Sequence, residues 1–133
     1  MNDITKYLPL AGRVLIGGIF VMSGLGKLGA YGGTTAAISS VGLPFAPLGF
    51  AVAIAVEIGI GFLLLIGYRA RLAALVLVLW CVVTAISFHR NFADQNALIH
   101  FLKNLMIAGG LLQIVHFGAG ASSVDNRRIA KVS

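Results

Sequence analysis

Ionisable side chains occur inside several long apolar stretches of this 133-residue sequence. Glu57 is the only carboxylate placed deep within such a stretch, and two other stretches contain Lys27 and Lys103. An ionised group at the centre of a membrane costs roughly 2.5–3.5 kcal/mol on insertion scales. Such groups are therefore expected to face one another or a ligand, and they mark the place where chemistry could occur.

Helical spacing brings further polar side chains to this region. His100, Lys103 and Asn104 share one helix face at positions i, i+3 and i+4. We predict an ion pair between Glu57 and Lys103, because a lysine stem can span the roughly 7 Å that separates their depths. Ser23 and Lys27 form a second i, i+4 pair, at the end of the first apolar stretch. The ligand-binding candidates are therefore Ser23, Lys27, Glu57, His100, Lys103 and Asn104, and no catalytic residue is assigned.

The surplus of positive and hydrogen-bonding groups around one carboxylate indicates an anionic or carbonyl-bearing ligand. A competing interpretation is that the carboxylate and the lysines only neutralise one another and fix the helix register. His89 and His100 lie near predicted span ends, which favours interfacial histidines over metal or haem ligands. Cys81 is the single cysteine and cannot perform dithiol chemistry alone. No flavin, haem or metal motif is present.

Membrane-spanning helices must position these groups. Hydrophobic residues make up 59% of the chain and charged residues only 11%, compared with roughly 25% charged in soluble proteins. Four stretches reach the length of about 20 residues that a span needs. The sequence thus predicts an all-α membrane protein, a four-transmembrane-helix bundle surrounded by the lipid bilayer. The spans are predicted at about 9–28, 47–68, 72–89 and 98–117.

The basic residues indicate the orientation. The chain carries a formal net charge of +6, but its basic residues lie mostly where apolar stretches end, so nucleic-acid binding is not expected. Seven of the ten lysines and arginines fall on the side of the two termini and the second loop. The positive-inside rule therefore predicts cytoplasmic termini. Three polar residues lie close to the cytoplasmic boundary of the membrane, and we expect their side chains to snorkel to it. They are Arg13, Gln113 and His116.

Local signals refine the first connection and the packing. Residues Thr34–Val41 are predicted to form a short interfacial helix in the first periplasmic loop, N-capped by Thr34 and stopped by Gly42 and Pro44. Small residues predict where the helices approach closely, since such contacts hold helices together in lipid. They are Gly17, Gly18, Gly24, Gly26, Ala53, Gly59, Gly61, Gly109 and Gly110.

An ordered set of motifs resembles the DoxX family of small bacterial inner-membrane proteins over nearly the whole chain. Glu57 lies among glycines, and Ala119 departs from the proline that many members have between the two tail glycines. The remaining motifs are Ser23–Leu28, Gly67–Arg71, Phe88–Phe92, His100–Leu105 and Gly118–Asp125. Glu57 and Lys103 match the recurrent intramembrane acid and base of the family, and Lys27 matches its lysine in span one.

The resemblance implies four spans in the bacterial cytoplasmic (inner) membrane and an association with redox chemistry. Family relatives include a subunit of a thiosulfate:quinone oxidoreductase, members linked to quinone and thiol-oxidant resistance, and members that join oxidoreductase complexes. The favoured hypothesis is a module that binds a quinone or similar lipophilic molecule and works with a partner oxidoreductase. A non-catalytic scaffold subunit and a small transporter of an organic anion, which would need a homo-oligomer, are the alternatives.

Overall fold

The computed structural model describes residues 3–40, 42, 44–88 and 93–127, and this part of the chain is helical without a strand. A π-helical segment, Ala55–Ile60, joins two of the α-helices into one continuous span. The α-helices are α1 Asp3–Leu28, α2 Tyr31–Ser40, α3 Ala46–Ile54, α4 Gly61–Ile66, α5 Ala70–Phe88 and α6 Gln95–Phe117.

Four helical stretches are long and apolar enough to cross a membrane, which confirms the predicted number of spans. They contain 18 to 25 residues with mean hydropathies of 1.6 to 2.5. Two helices begin earlier than predicted, α1 at Asp3 and α6 at Gln95. Hydropathy marks the lipid-embedded part of a helix, whereas its ends are set by backbone hydrogen bonding. For example, Asp94 caps α6 by accepting a hydrogen bond from the Asn96 backbone N–H.

The packed core lies at one end of the bundle. We call the end with the start of α1, the α4–α5 turn and the close of α6 the terminal end, and the opposite end the loop end. The buried side chains come from the close of α4, the first three turns of α5, the second half of α6 and the tail just after α6. Small residues dominate, which lets these helices approach closely. The cluster comprises Leu64, Ala70, Ala73, Ala74, Leu77, Cys81, Ala108, Leu111 and Ala119.

The chain after α6 folds back over the terminal end. Gly67 ends α4 with a φ of +77°, a left-handed conformation that glycine adopts without a steric penalty. The Asp125 carboxylate accepts hydrogen bonds from the backbone N–H groups of Arg69 and Ala70 at 2.7 and 2.8 Å. The Asp125 N–H donates in turn to the Gly67 carbonyl at 3.0 Å. The tail therefore caps the start of α5.

Arg13 is buried at the terminal end, so its predicted snorkelling to the boundary is wrong. The residue is 1% exposed. Its guanidinium donates to the carbonyls of Leu64 and Leu65 at 3.3 and 2.8 Å, to that of Ala119 at 2.9 Å, and to that of Ser122. Carbonyls in the last turn of a helix lack intrahelical partners, and arginine carries enough donors to satisfy several of them. Gln113 and His116 are exposed.

The first connection contains the predicted short helix with a different start. α2 begins at Tyr31, and Thr34 lies inside it with its N–H donating to the Ala30 carbonyl at 2.9 Å. The predicted Thr34 cap is therefore wrong. α2 ends at Ser40, just before Gly42, whose φ is +83°. Val41 and the predicted boundary group His89 lie outside the described residues.

α2 packs against the start of span two. Ile38 is 6% exposed and is the buried residue of α2. A Cβ added at Gly49 would lie 3.3 Å from an Ile38 methyl group, so the absence of a side chain there admits Ile38. The rings of Tyr31 and Phe50 meet edge to face at 4.7 Å. These contacts hold α2 beside the loop end of the bundle.

Candidate functional site

Glu57 forms a closed group of three polar side chains with residues of α1. Its Oε1 accepts hydrogen bonds from Ser23 Oγ at 2.6 Å and from Lys27 Nζ at 2.8 Å. Lys27 Nζ also donates to Ser23 Oγ at 3.1 Å. We call Ser23, Lys27 and Glu57 the carboxylate triad. Charge-assisted bonds of this length are among the stronger polar contacts in proteins.

The predicted ion pair between Glu57 and Lys103 is wrong, because the carboxylate pairs with Lys27 instead. The cause is the contact between α1 and the π-helical segment. A Cβ added at Gly24 would lie 3.2 Å from Glu57 Cβ and would overlap Ile58 Cγ1. The two backbones therefore approach closely at Gly24. This approach places Ser23 and Lys27 beside the carboxylate.

Glu57 lies within the π-helical turn, a feature for which the sequence contains no signal. The residue is 4% exposed, and its Oε2 is buried with no hydrogen-bond partner among the described residues. A π-helical turn accommodates one more residue than the equivalent α-helical turn, and such turns occur frequently at functional sites. Ala53 and Gly61, which lie four residues before and after Glu57 and were predicted to mark close helix contacts, are both buried. The backbone of Gly61 lies against α1, because a Cβ added at Gly61 would be 3.0 Å from Phe20 Cβ.

A cavity of about 980 Å³ lies in the loop half of the bundle. This volume is at the upper end of the roughly 300–1,000 Å³ typical of ligand pockets. All four spans and α2 contribute to its mainly apolar wall. The six ligand-binding candidates all line it: Ser23, Lys27, Glu57, His100, Lys103 and Asn104.

The cavity is open rather than enclosed. Leu15, Ile19 and Leu48 belong to its wall and are nevertheless 64%, 62% and 64% exposed. These side chains come from the middle of α1 and the start of α3. Because they are apolar and lie on spans, the opening between them is suited to lipophilic molecules that arrive from the bilayer.

The structure adds cavity residues that the sequence reasoning did not select. Trp80, Thr84 and Ser87 of α5 line the wall at i, i+4 and i+7. That spacing could have identified them as one face of span three. Thr34 of α2 also lines the cavity, although only the packing of α2 on span two could reveal this.

In the described part of the chain, no group of three histidine, cysteine, aspartate or glutamate side chains lies close enough together to hold a metal ion. His100 lines the cavity, whereas His116 lies at the terminal end and packs against the Phe117 ring. Cys81 is buried in the core. The polar groups that meet at the cavity are therefore hydrogen-bond donors and acceptors together with charged side chains.

Sequence comparison places the chain beside known proteins. The profile of the DoxX family matches residues 8–90, from the early part of α1 to the close of span three. The chain is 36% identical over 127 residues to the inner membrane protein YqjF of Escherichia coli (strain K12), covering 94% of this chain and 95% of that protein. It is 29% identical over 126 residues to the inner membrane protein YphA of the same organism, covering 90% and 89%. No solved structure matches significantly.

Proposed function

Because this chain belongs to the DoxX family and is a multi-pass inner-membrane protein, we propose that it binds a quinone or similar lipophilic small molecule in its cavity. The observation that carries the proposal is the cavity itself, in which a large apolar volume meets all six of the candidate polar side chains. In this proposal the protein works as a redox-associated module beside a partner oxidoreductase.

The cavity offers the contacts that a quinone needs. A quinone combines an apolar ring and tail with two carbonyl oxygens that only accept hydrogen bonds. Lys103 and Asn104 are adjacent donors on the α6 wall. Lys27 uses two of its three N–H groups within the carboxylate triad and retains one. Trp80 supplies an aromatic surface against which a ring can stack.

The proposal includes a partner oxidoreductase because the side chains of the cavity wall do not carry electrons. Amine, amide, hydroxyl, imidazole and carboxylate groups bind ligands and transfer protons, but they do not carry electrons. Oxidation or reduction of a bound quinone would therefore use a carrier on another protein. In this arrangement the chain supplies binding, orientation and a site for proton exchange at Glu57.

Titration of the purified protein with a short-chain ubiquinone tests the proposal. Trp80 is the only tryptophan of the chain and lines the cavity, so its fluorescence reports occupancy directly. Asn104→Leu is expected to weaken binding by about tenfold, the equivalent of one lost hydrogen bond to a carbonyl. Gln113→Leu is the matched control, because it removes an amide from the same helix outside the cavity. Absence of saturable quenching in the wild type would contradict the proposal, and equal affinities in all three proteins would contradict the role of Asn104.

A scaffold subunit is the second candidate function, favoured by one observation. Three of the six polar residues, the carboxylate triad, already bond one another without a ligand. A scaffold needs only this internal arrangement, and its Lys103 and Asn104 would be replaceable. Unchanged complex assembly together with lost quinone binding in Asn104→Leu would separate the two functions.

A further inference from the structure

Lys103 is a cation in the cavity wall that has no ion-pair partner among the described residues. It lies eight residues after the start of α6 at Gln95, hence roughly 12 Å along the helix axis. The residue is exposed to the cavity that it lines. Within the described part of the chain, the one ion pair at the cavity joins Lys27 to Glu57.

No carboxylate side chain in the described part of the chain forms an ion pair with Lys103. The entire sequence contains four acidic residues. Glu57 is engaged by Lys27, Asp94 caps the start of α6, and Asp125 caps the start of α5 at the terminal end. Asp3 begins α1, also at the terminal end. Two lysines and one carboxylate thus leave one net positive charge in the cavity wall.

We infer that the ligand of this cavity carries a single negative charge on its polar head, which binds at Lys103 with the Asn104 amide beside it. The inference rests on the proposed function, since it specifies the ligand of the same cavity. Because the wall around this cation is mainly apolar, water screens the attraction between an anion and Lys103 less there than in bulk solution. A neutral ligand would leave this charge uncompensated. The chemical class is therefore an ionised amphiphile, such as an acidic quinone.

A pair of probes that differ in charge and closely match in shape tests the inference. 2-Hydroxy-1,4-naphthoquinone is ionised at neutral pH, whereas 2-methoxy-1,4-naphthoquinone is neutral. Binding of each to the full chain in a non-ionic detergent is followed through Trp80 fluorescence. The anion is expected to bind about tenfold more tightly than the methyl ether.

Variants assign the charge preference to Lys103. Lys103→Met is expected to reduce affinity for the anion to that for the methyl ether, and Lys103→Arg to retain the preference. Lys6→Met removes the same charge from α1 outside the cavity and should change neither affinity. Circular dichroism establishes that each variant is folded. Equal affinities for both probes in the wild type would overturn the inference while leaving the proposed function intact, whereas no binding of either probe would contradict both.

The anionic head has two sources that the same experiment separates. A membrane lipid carries an anionic phosphate, and a free acidic quinone carries an enolate. Displacement of the bound anion by phosphatidylglycerol, but not by phosphatidylcholine, would identify an anionic lipid as an occupant. Retention of the probe in both lipids would identify a free anion. Displacement by both lipids would show that charge does not govern occupancy and would overturn the inference.

Discussion

Replacing Lys27 with methionine is expected to destabilise the protein more than any other single removal of charge at the cavity. The substitution leaves the Glu57 carboxylate with Ser23 as its one remaining hydrogen-bond donor among the described residues. That carboxylate is 5% exposed, whereas the Lys27 side chain is 32% exposed. Water therefore reaches the amine but does little to solvate the carboxylate after the amine is removed.

The exposures set the expected magnitude. Removing one partner of a fully buried ion pair costs about 3–5 kcal/mol, and a surface pair contributes about 0–1 kcal/mol. With one partner buried and the other a third exposed, Lys27→Met should lower the unfolding free energy by about 2–3 kcal/mol. The further substitution Glu57→Leu removes the unpaired charge. The unfolding free energy of the double variant should therefore lie within about 1 kcal/mol of the wild-type value.

The assay is a double-mutant cycle in mixed micelles, in which increasing amounts of dodecyl sulfate unfold the protein and circular dichroism follows the helices. Lys103→Met is the matched control, because it removes the other cavity lysine, which pairs with no carboxylate among the described residues. Its unfolding free energy should stay within about 0.5 kcal/mol of the wild type. If the effects of the two triad substitutions add within about 0.5 kcal/mol, the triad is not coupled and the reasoning is refuted.

Three further predictions concern packing, capping and orientation. Gly17→Ala places a methyl carbon 2.7 Å from a carbonyl oxygen of α4 and should cost about 1–3 kcal/mol of unfolding free energy in the same assay. Gly26→Ala, in open space on the same helix, should cost nothing. Asp125→Ala removes two backbone bonds at the start of α5 and should cost about 1–2 kcal/mol, whereas no change would show that the tail does not stabilise that turn. Gly32→Cys, on exposed α2, should react with a membrane-impermeant maleimide in intact cells, and a reaction only after permeabilisation would reverse the predicted orientation.

Much of the fold could be predicted from apolar length and turn chemistry. Four stretches of sufficient hydropathy correspond to the four spans, because lipid leaves helices as the means of satisfying the backbone. The end of α4 was predictable from Gly67, whose left-handed conformation closes the helix. Depth along each helix also predicted that the six polar candidates would meet, and all six line one cavity.

The partner of Glu57 could not be predicted in the same way. The position of a residue along its helix gives its depth in the membrane, but it does not show which neighbouring helix the side chain faces. Lys27 and Lys103 were both within reach by depth, and the close approach at Gly24 decides between them. The π-helical turn that carries Glu57 adds one residue to the turn without a distinguishing residue type. The choice of Lys27 depends on the contact between α1 and span two rather than on either helix alone.

Arg13 escaped prediction because its partners are carbonyl groups, which every residue of the chain possesses. No side chain in the sequence identifies the acceptors, and two of them follow Arg13 by 106 and 109 positions. A charged residue on the first span therefore looked like a boundary marker. Its burial depends on where the tail returns, which is a property of the assembled bundle.

The same arginine imposes an order on biosynthesis. The ribosome delivers the first span to the membrane long before it has made Ala119 and Ser122, whose carbonyls receive the Arg13 guanidinium. During that interval the guanidinium lacks two of its carbonyl acceptors, and water can bond its free N–H groups. The fully bonded, buried arrangement of Arg13 therefore forms only after the tail has been synthesised.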